Sequence, residues 1–535
     1  MMNRYLKSLA IFIAPVVSGV LLYSIFPPLE LSVLSWFALI PLFLVLNYAR
    51  YLQAFFSGLL TGIILCGLHV YWLNLVPGFP ASAYLAIIFY ASSFFAIFSL
   101  LFSIVIHRTS IPRVLAASFL WVAIEYVRAN LSFIAVPWVL LGHSQYQNIP
   151  FIQIASVTSV YGVSFLIIMV NVAIAECILY MLNQRTPMRV KQPSFKVLAY
   201  SCIATSVIIT VVYLWGSHQL EIYGHNDRKL LNVALVQGNI PQNQKWDRTF
   251  KHAIMERYRT LTMKAAEGHP DMIIWPETAT PGKIGDDKWV DESIKILIKE
   301  TKLPLLLGST SNGKLEMSGR KIRREKNSAY LLDTDAEVID TYHKIRLVPF
   351  GEYLPLEGRF QWPKWLVPDH GDTLPGTEFT VFRFPKGNFG VVICWENLFP
   401  DLFRRFVRNG AEFMVNLTNE AHFGKTAAPY QMMAMSVFRA IENRVSLLRC
   451  ANTGITGIVD PLGRIRGKVV DESGNEIFVM GILTTSVPAS LGTTFYTRYG
   501  DVFAILCVIG GALCILIAAI NPQFRASLKK EHVDD

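Results

Sequence analysis

Seven long apolar stretches precede an extended polar region in this sequence, and an eighth apolar stretch follows it. The stretches lie near residues 8–26, 31–49, 53–73, 83–106, 112–129, 157–182, 197–215 and 501–520. A helix needs about 20 apolar residues to cross the hydrocarbon core of a bilayer, and most of the stretches approach or exceed that length. The sequence therefore predicts a membrane bundle of eight transmembrane helices.

The fifth stretch is the least apolar, because it contains Glu125 and Arg128. Three residues apart on a helix, these side chains share one face and could form an ion pair. The sequence leaves open whether they are a structural pair near the membrane edge or functional charges facing the interior of the bundle.

The composition agrees with a membrane location. Hydrophobic residues make up 52% of the 535 residues and charged residues only 16%, whereas soluble domains carry about 25% charged residues. The net charge of +10 could suggest a nucleic-acid partner, but no basic run and no basic helix with interleaved aromatic residues is present. The basic loops of a membrane protein account for the charge better, so no nucleic acid is expected.

The basic residues predict an orientation. They flank the first stretch and the last stretch and occur between alternate pairs of stretches, whereas the loops 27–30 and 74–82 contain none. By the positive-inside rule, both termini are cytoplasmic and the polar region lies on the outer side of the membrane. The residues concerned are Arg4, Lys7, Arg50, Arg108, Arg113, Arg185, Arg189, Lys191, Lys196, Arg525, Lys529 and Lys530.

The polar region alternates strand-like and helix-like segments. "LLNVALVQGNI" and "DMIIWPET" are typical of buried strands, and a polar helix is expected between them at about 247–266. Such alternation predicts an α/β layered domain. The predicted organisation is a seven-helix region (1–216), a linker (217–229), the α/β domain (230–498), an eighth helix (499–521) and a tail (522–535).

Three strands of the predicted domain end at chemically capable side chains. Glu277 follows "IIWP", Lys344 lies in "YHKIRLVPFGEYLP", and Cys394 ends "FGVVIC". Strand ends often build active sites. A cysteine nucleophile needs a base for its proton and a cation for the thiolate or the oxyanion. Each residue alone is more often structural or solvated, but together they predict a Glu–Lys–Cys catalytic triad.

Two of the seven cysteines, Cys394 and Cys450, lie in the polar region. A disulfide between them is conceivable, but we expect free thiols. The sequence contains no CxxC pair and no zinc-ligand spacing.

Several longer motifs carry a resemblance to known proteins. They include "ALVQGNIPQNQKW", "WPET", "HKIRLVPFGEYLP", "VVICWEN", "RAIENRVSLLRCANTG" and "GIVDPLGRI" in the polar region, and "PWVLLGHSQYQ" and "VYGVSFL" among the apolar stretches. The polar region resembles the nitrilase, or carbon–nitrogen hydrolase, superfamily. The whole chain is similar to the membrane-embedded branch of that superfamily, the apolipoprotein N-acyltransferases. The resemblance implies an αββα sandwich on the periplasmic side of a bacterial inner membrane.

The resemblance also implies a two-step acyl transfer. Cys394 would take an acyl chain from a phospholipid, typically phosphatidylethanolamine, and form a thioester. The α-amine of the diacylglyceryl-cysteine of an apolipoprotein would then accept the acyl chain. Glu277 would serve as base and Lys344 would stabilise negative charge. Neither cofactor nor metal is implied, and the family suggests a monomer. Further residues that the resemblance places near the site are Glu352, Glu396, Trp246 and Trp395.

The sequence departs from the family pattern at three positions. Trp395 stands where a tyrosine is expected, and Glu420 and His422 stand where the family more often has Asp and Trp. His422 is either a packed or surface imidazole, or a titratable group near the thioester.

The segment "GRFQWPKWLVPDHG", residues 358–371, is unusually apolar for a loop. It either packs onto the domain surface or forms an arm that contacts the bilayer and admits lipid sideways, since aromatic side chains suit the headgroup layer. The residues of this candidate lipid-entry arm are Phe360, Trp362, Trp365 and Leu366.

Two other functions remain open at this stage. A membrane-tethered amide hydrolase would use the same triad with water in place of the amine, although one membrane helix would suffice to tether it. A transporter with an extracellular binding domain would need charged or broken helices in its bundle, and only Glu125 and Arg128 match that requirement.

Overall fold

The computed structural model describes residues 2–185, 194–224, 228–317, 320–367 and 371–520. The chain divides into two compact units. The first comprises Met1–Tyr71, Ala83–Gln219 and Asp501–Asp535, and the second comprises Trp72–Ser82 and Leu220–Gly500. Arg189, Lys191 and the tail, all used to predict orientation or organisation, lie outside the described residues.

Fifteen α-helices are present in the described part of the chain. They are α1 (Met2–Ser24), α2 (Ile40–Leu46), α3 (Tyr51–His69), α4 (Ala81–Arg108), α5 (Arg113–Asn130), α6 (Ile149–Ile152), α7 (Ala155–Arg185), α8 (Phe195–Tyr223), α9 (Gln242–Lys245), α10 (Lys251–Ala266), α11 (Lys288–Thr301), α12 (Pro400–Arg408), α13 (Ala428–Asn443), α14 (Phe495–Tyr499) and α15 (Val502–Ile520). Helix α8 continues through the first residues of the predicted linker.

Five of these helices, α3, α4, α7, α8 and α15, are long and apolar enough to cross a membrane. Two shorter apolar segments, Leu9–Ser24 and Ser32–Leu46, accompany them in the described residues. Helix α5 has 18 residues and contains Arg113, Glu125 and Arg128. The first unit is therefore rich in apolar helices of membrane length, and the count of eight spans remains a prediction.

The second apolar stretch, 31–49, is not one continuous helix. It forms a 3₁₀ turn at Ser32–Trp36 and then the seven-residue helix α2, which at 1.5 Å per residue is only about 10 Å long. The side chain of Asn171 bridges the break, since it accepts the N–H of Leu39 (2.9 Å) and donates to the carbonyl of Ser35 (2.8 Å). Non-helical backbone among apolar helices needs such partners because water is excluded there.

Glu125 and Arg128 are buried and also serve the backbone. The Glu125 carboxylate accepts the N–H of Leu141 (2.7 Å), and the Arg128 guanidinium donates to the carbonyl of Val139 (3.1 Å). In the described part of the first unit we find no ion pair between the two. These contacts favour a structural role, in which the two side chains form hydrogen bonds with the backbone groups of a non-helical segment.

The second unit contains twelve strands within the described residues. They are β1 (Lys229–Gln237), β2 (Met272–Ile274), β3 (Leu305–Met317), β4 (Arg320–Leu332), β5 (Val338–His343), β6 (Val381–Phe382), β7 (Phe389–Ile393), β8 (Phe413–Thr418), β9 (Ser446–Ala451), β10 (Gly457–Val459), β11 (Ile465–Lys468) and β12 (Gly481–Pro488).

The strands form two six-stranded sheets of similar design. One has the order β12-β1-β2-β3-β4-β5 and the other β11-β10-β9-β8-β7-β6. The central strands β1-β2-β3 and β7-β8-β9 are parallel, and each remaining strand pairs antiparallel with its inner neighbour in the sheet. The sulfur of Cys450 on β9 lies 3.3 Å from the carbonyl of Ile274 on β2, so the sheets face each other. The predicted α/β layers are confirmed.

Helices cover the outer faces of the sheets. The core beside the first sheet includes Tyr258 from α10 and Trp275, whose stacked ring centroids are 4.7 Å apart. In α11, the buried residues Val290, Ile294, Leu297 and Ile298 recur at the spacing of one helix face. Parallel strands bring their carboxyl ends to one edge, and this arrangement positions the site described next.

Candidate active site

Glu277 lies in the loop that follows β2, and Gly308 on β3 allows that loop to approach the sheet. A Cβ atom on Gly308 would lie 2.5 Å from the carbonyl oxygen of Pro276 and 2.7 Å from Cα of Glu277. Two backbone hydrogen bonds connect the loop to the strand. The N–H of Gly308 donates to the carbonyl of Pro276 (3.2 Å), and the N–H of Ala279 donates to the carbonyl of Gly308 (2.8 Å). A glycine is required here because backbone atoms cannot move aside for a side chain.

Two asparagines fix the buried carboxylate of Glu277. Oε1 accepts from the side-chain amide of Asn327 (2.7 Å), and Oε2 accepts the backbone N–H of Asn419 (2.8 Å). Neither asparagine was predicted. Asn419 lies in "TNEAHFG", a motif that departs from the family pattern at Glu420 and His422 but not at this asparagine. Asn327 lies on β4 without a distinctive local pattern.

Lys344 is buried within reach of two carboxylates. Its Nζ donates to Oε1 of Glu352 (2.8 Å) and lies 4.0 Å from Oε1 of Glu277. Burial acts to lower the pKa of Lys344, but the charges of Glu352 and Glu277 outweigh it and raise that pKa above its ordinary value. The group is therefore a permanent cation beside the predicted base. Glu352 is held in turn by the N–H of Val348 (2.7 Å).

Cys394 occupies a strained position directly after β7. Its φ is +52°, a region that non-glycine residues rarely adopt and that is enriched at functional sites. The side chain of Asn416 donates to its carbonyl (3.3 Å). Burial first, and then the charge of Glu277, raise the pKa of Cys394 to about 12, although Lys344 acts in the opposite direction. The resting group is therefore a thiol, which needs a base to become a nucleophile.

Glu396 connects the strand ends that carry Lys344 and Cys394. Its fully buried carboxylate accepts the N–H groups of Ile345 (2.8 Å), Arg346 (2.9 Å) and Ile393 (2.8 Å). The hydroxyl of Tyr342 also donates to it, at 2.8 Å. Burial raises the pKa of Glu396 despite these hydrogen bonds. The contacts give Glu396 a positioning role, because they use both of its oxygens.

The two tryptophans take different positions. The ring of Trp395 packs edge-on against Phe399, with centroids 5.2 Å apart. Trp246 is 59% exposed, and its ring centroid lies 6.0 Å from Nζ of Lys245. Glu352 thus contacts Lys344 directly, and Glu396 binds the backbone of residues next to Lys344 and Cys394. Trp246 instead presents its ring to solvent next to a buried lysine.

The unusual Glu420 belongs to the support of Cys394. It forms a fully buried ion pair with Arg449, and Arg449 also donates to the side-chain oxygen of Asn416 (2.8 Å). Asn416 in turn holds the carbonyl of Cys394. Cys450, the neighbour of Arg449 in the sequence, is fully buried, and Cys394 is buried too. Both cysteines are free thiols. The expectation of free thiols is confirmed.

His422 lies within electrostatic range of the site. Burial, and then the positive charges of Lys245 and Lys344, lower the pKa of His422 to about 4. The imidazole is therefore neutral at physiological pH, and its ring packs against Phe423 with ring centroids 4.0 Å apart. These observations favour a packed imidazole over a group that titrates near the thioester.

The candidate lipid-entry arm is partly packed and partly exposed. Trp362 packs between Phe350 and Phe360, at 4.7 and 4.8 Å between ring centroids, and its indole donates to the carbonyl of Pro355 (2.7 Å). Phe360 and Trp365 are 50% and 67% exposed, and Leu366 is half-buried. Residues 368–370 of this segment lie outside the described residues.

Comparison with known proteins identifies both parts of the chain. The family described as "Carbon-nitrogen hydrolase" matches residues 232–490, and the family described as "Apolipoprotein N-acyltransferase N-terminal domain" matches residues 18–173. Among solved structures, the chain is similar to Saccharomyces cerevisiae Nit3 (20% identity, 49% of this chain and 92% of that one, TM-score 0.37). It is also similar to an amidase from Nesterenkonia (16% identity, 50% and 94%, TM-score 0.36).

The α/β unit is therefore a nitrilase-like domain of the carbon–nitrogen hydrolase class. The chain is 36% identical to an apolipoprotein N-acyltransferase of Geobacter metallireducens over 95% of both chains. It is 28% identical to one of Chlorobaculum tepidum over 96% of this chain and 97% of the other. The chain belongs to the apolipoprotein N-acyltransferase family, and it is an acyltransferase, as predicted.

Proposed function

We propose that this chain acylates the α-amino group of the N-terminal diacylglyceryl-cysteine of apolipoproteins, with a phospholipid as acyl donor and a thioester on Cys394 as intermediate. The observation that carries the proposal is the buried cluster of Cys394, Glu277 and Lys344 in a chain of this family. A thiol, a carboxylate and an ammonium are the groups that covalent acyl transfer needs.

In the first half-reaction, Glu277 accepts the proton of the Cys394 thiol. The sulfur attacks the ester carbonyl carbon of the phospholipid, and the ammonium of Lys344 stabilises the negative charge that develops on the carbonyl oxygen. The ester C–O bond breaks, and the departing oxygen of the lysophospholipid takes the proton from Glu277. The acyl chain remains on sulfur as a thioester.

In the second half-reaction, the neutral α-amine attacks the thioester carbonyl. Glu277 accepts a proton from the attacking nitrogen, the C–S bond breaks, and the proton returns to the sulfur of Cys394. The step runs downhill without ATP because an amide is less reactive than a thioester. The sequence contains no phosphate-binding loop, which agrees with this energetics.

The lipid substrates require access from a bilayer. The exposed rings of Phe360 and Trp365 have the chemistry of headgroup-layer contacts, and we assign the arm to lipid entry. The proposal places the α/β unit on the periplasmic side of a bacterial inner membrane, with eight spans and cytoplasmic termini, in a monomer. Phosphatidylethanolamine is the proposed donor.

The central test supplies the purified protein with phosphatidylethanolamine and a diacylated lipopeptide. We expect a triacylated product, and by mass spectrometry an acyl adduct on Cys394 when the lipopeptide is omitted. Cys394→Ala should abolish both, and the control Cys450→Ala should retain both. Turnover by Cys394→Ala would contradict the proposal, and release of free fatty acid instead of the triacylated product would indicate a hydrolase.

The orientation has a separate test. Lys264 is exposed on α10, so a cysteine there should react with a membrane-impermeant thiol reagent in intact spheroplasts. Labelling that appears only after lysis would reverse the proposed orientation.

A further inference from the structure

A second lysine, Lys245 at the end of α9, is buried at the active site. Only 6% of the residue is exposed, and its Nζ donates to the backbone carbonyl of Glu277 at 3.0 Å. Within the ranges that the structure describes, no carboxylate forms an ion pair with this ammonium. Lys344, by contrast, pairs with Glu352.

An arrangement of this kind is costly. A buried ammonium normally has a charged partner, because a single neutral acceptor does not replace its hydration. The structure nevertheless holds Lys245 in place. The side chain of Gln242, at the start of α9, accepts from the amide of Asn419 (3.1 Å), and the backbone N–H of Asn419 binds Glu277. Both ends of helix α9 are therefore connected to Glu277 by hydrogen bonds, Lys245 directly and Gln242 through Asn419.

Lys245 balances an excess of negative charge among the side chains of the site. Glu277 and Glu352 contribute two negative charges, and Lys344 contributes one positive charge. Without a second cation, a thiol in this cluster would have to lose its proton beside a net negative charge, which disfavours the thiolate. The ammonium of Lys245 makes the sum of these four side chains neutral.

We propose that Lys245 is a positioning residue of the acyl transfer. Its ammonium holds the peptide oxygen of Glu277 and supplies the second positive charge that favours ionisation of Cys394. The proposal rests on the proposed function, in which Cys394 is the nucleophile and Glu277 the base.

The protonation of Lys245 adds a pH dependence. Burial lowers the pKa of Lys245 to about 8, while the charges of Glu277 and Cys394 act to raise it. The ammonium therefore predominates at pH 7, and its contribution is lost as the pH rises through about 8. Other titratable groups within electrostatic range of this cluster are Lys344, Glu352, His422, Glu396 and Arg449. His422 is neutral at this pH, and Arg449 is already paired with Glu420.

The test measures alkylation of Cys394 by iodoacetamide as a function of pH, together with thioester formation from phospholipid. In Lys245→Met we expect both rates at pH 7 to fall by about tenfold, and the alkylation profile to move up by about one pH unit. Lys245→Gln keeps a donor for the Glu277 carbonyl but no charge, so it should lose as much. Lys245→Arg should recover most of the rate.

The control is Lys251→Met. It removes a lysine of the neighbouring helix α10 that is paired with Asp287, and it should leave the alkylation profile unchanged. Melting curves of all four variants separate misfolding from lost chemistry. If Lys245→Met is unfolded, the comparison of Lys245→Gln with Lys245→Arg tests the role of the charge instead. An unshifted profile in folded Lys245→Gln would overturn the role of the charge. A wild-type protein without an adduct on Cys394 would instead refute the proposed function itself.

Discussion

Three buried polar side chains of the membrane-type unit and the three residues of the predicted triad in the α/β unit have different kinds of partner. In the membrane-type unit, Asn171, Glu125 and Arg128 bind backbone groups of non-helical segments. In the α/β unit, Glu277, Lys344 and the thiol of Cys394 instead interact with one another. The first kind of contact completes a fold that would otherwise leave backbone groups unsatisfied, and the second kind shifts pKa values, which is typical of reactive sites and which the proposed acyl transfer requires. Burial of a charge alone therefore does not point to an active site, and the partners of the buried charge have to be examined as well.

The largest effect that this comparison predicts is the loss of chemistry without loss of the fold in Glu277→Gln. We expect thioester formation to fall by about 1,000-fold, because general-base catalysis contributes about 100- to 10,000-fold. Lys344→Met should cause a comparable loss, and the double variant should be little worse than the poorer single variant, since residues that act as a unit are non-additive. Single-turnover acylation measures the rates of the three variants. If the loss in the double variant equalled the product of the two single losses, the shared role would be contradicted.

Gly308→Ala should reduce acylation by about 100-fold, because the backbone around Glu277 would have to move and such displacements are costly in rate. The control Gly268→Ala adds a Cβ whose nearest atoms lie at an ordinary 3.5 Å and should retain its activity. The same acylation assay compares the two. Equal activities would show that Glu277 tolerates displacement of its loop.

The charges of Glu277 and Lys344 should change the reactivity of the Cys394 thiol in opposite directions. Glu277 raises the pKa of Cys394 and Lys344 lowers it. At pH 8, Glu277→Gln should therefore increase the thiolate fraction and speed alkylation by iodoacetamide, whereas Lys344→Met should slow it, each by about tenfold for one pKa unit. Both variants should fail in acyl transfer. Shifts in the same direction would show that the two charges do not set the thiol pKa.

The smallest effect concerns the membrane-type unit. Asn171→Ala should cost about 1–3 kcal/mol of stability, because it leaves the N–H of Leu39 without its buried acceptor. The acylation rate of the folded fraction should stay unchanged. Asn130→Ala is the matched control, since Asn130 is exposed and its side chain donates to the carbonyl of Tyr126 in its own helix. Thermal melting in detergent measures the difference, and equal melting temperatures would refute the bridging role.

Local patterns in the sequence were sufficient for several features. Apolar length predicted helices of membrane type, and strand-like segments ending at Glu277, Lys344 and Cys394 predicted the residues that the fold brings together. These features are local because hydrophobic periodicity and strand ends are encoded in consecutive residues.

The tertiary structure alone decided which groups surround those residues and where the apolar stretch 31–49 breaks. Asn327 and Asn419 reach Glu277 from 50 and 142 residues away, and Lys245 lies 32 residues before the carbonyl that it binds. Asn171 bridges the break in the apolar stretch from 132 residues away. No local pattern specifies such partners, because a hydrogen bond depends on the distance between two atoms in the folded chain. That distance exists only once the sheets and helices have packed.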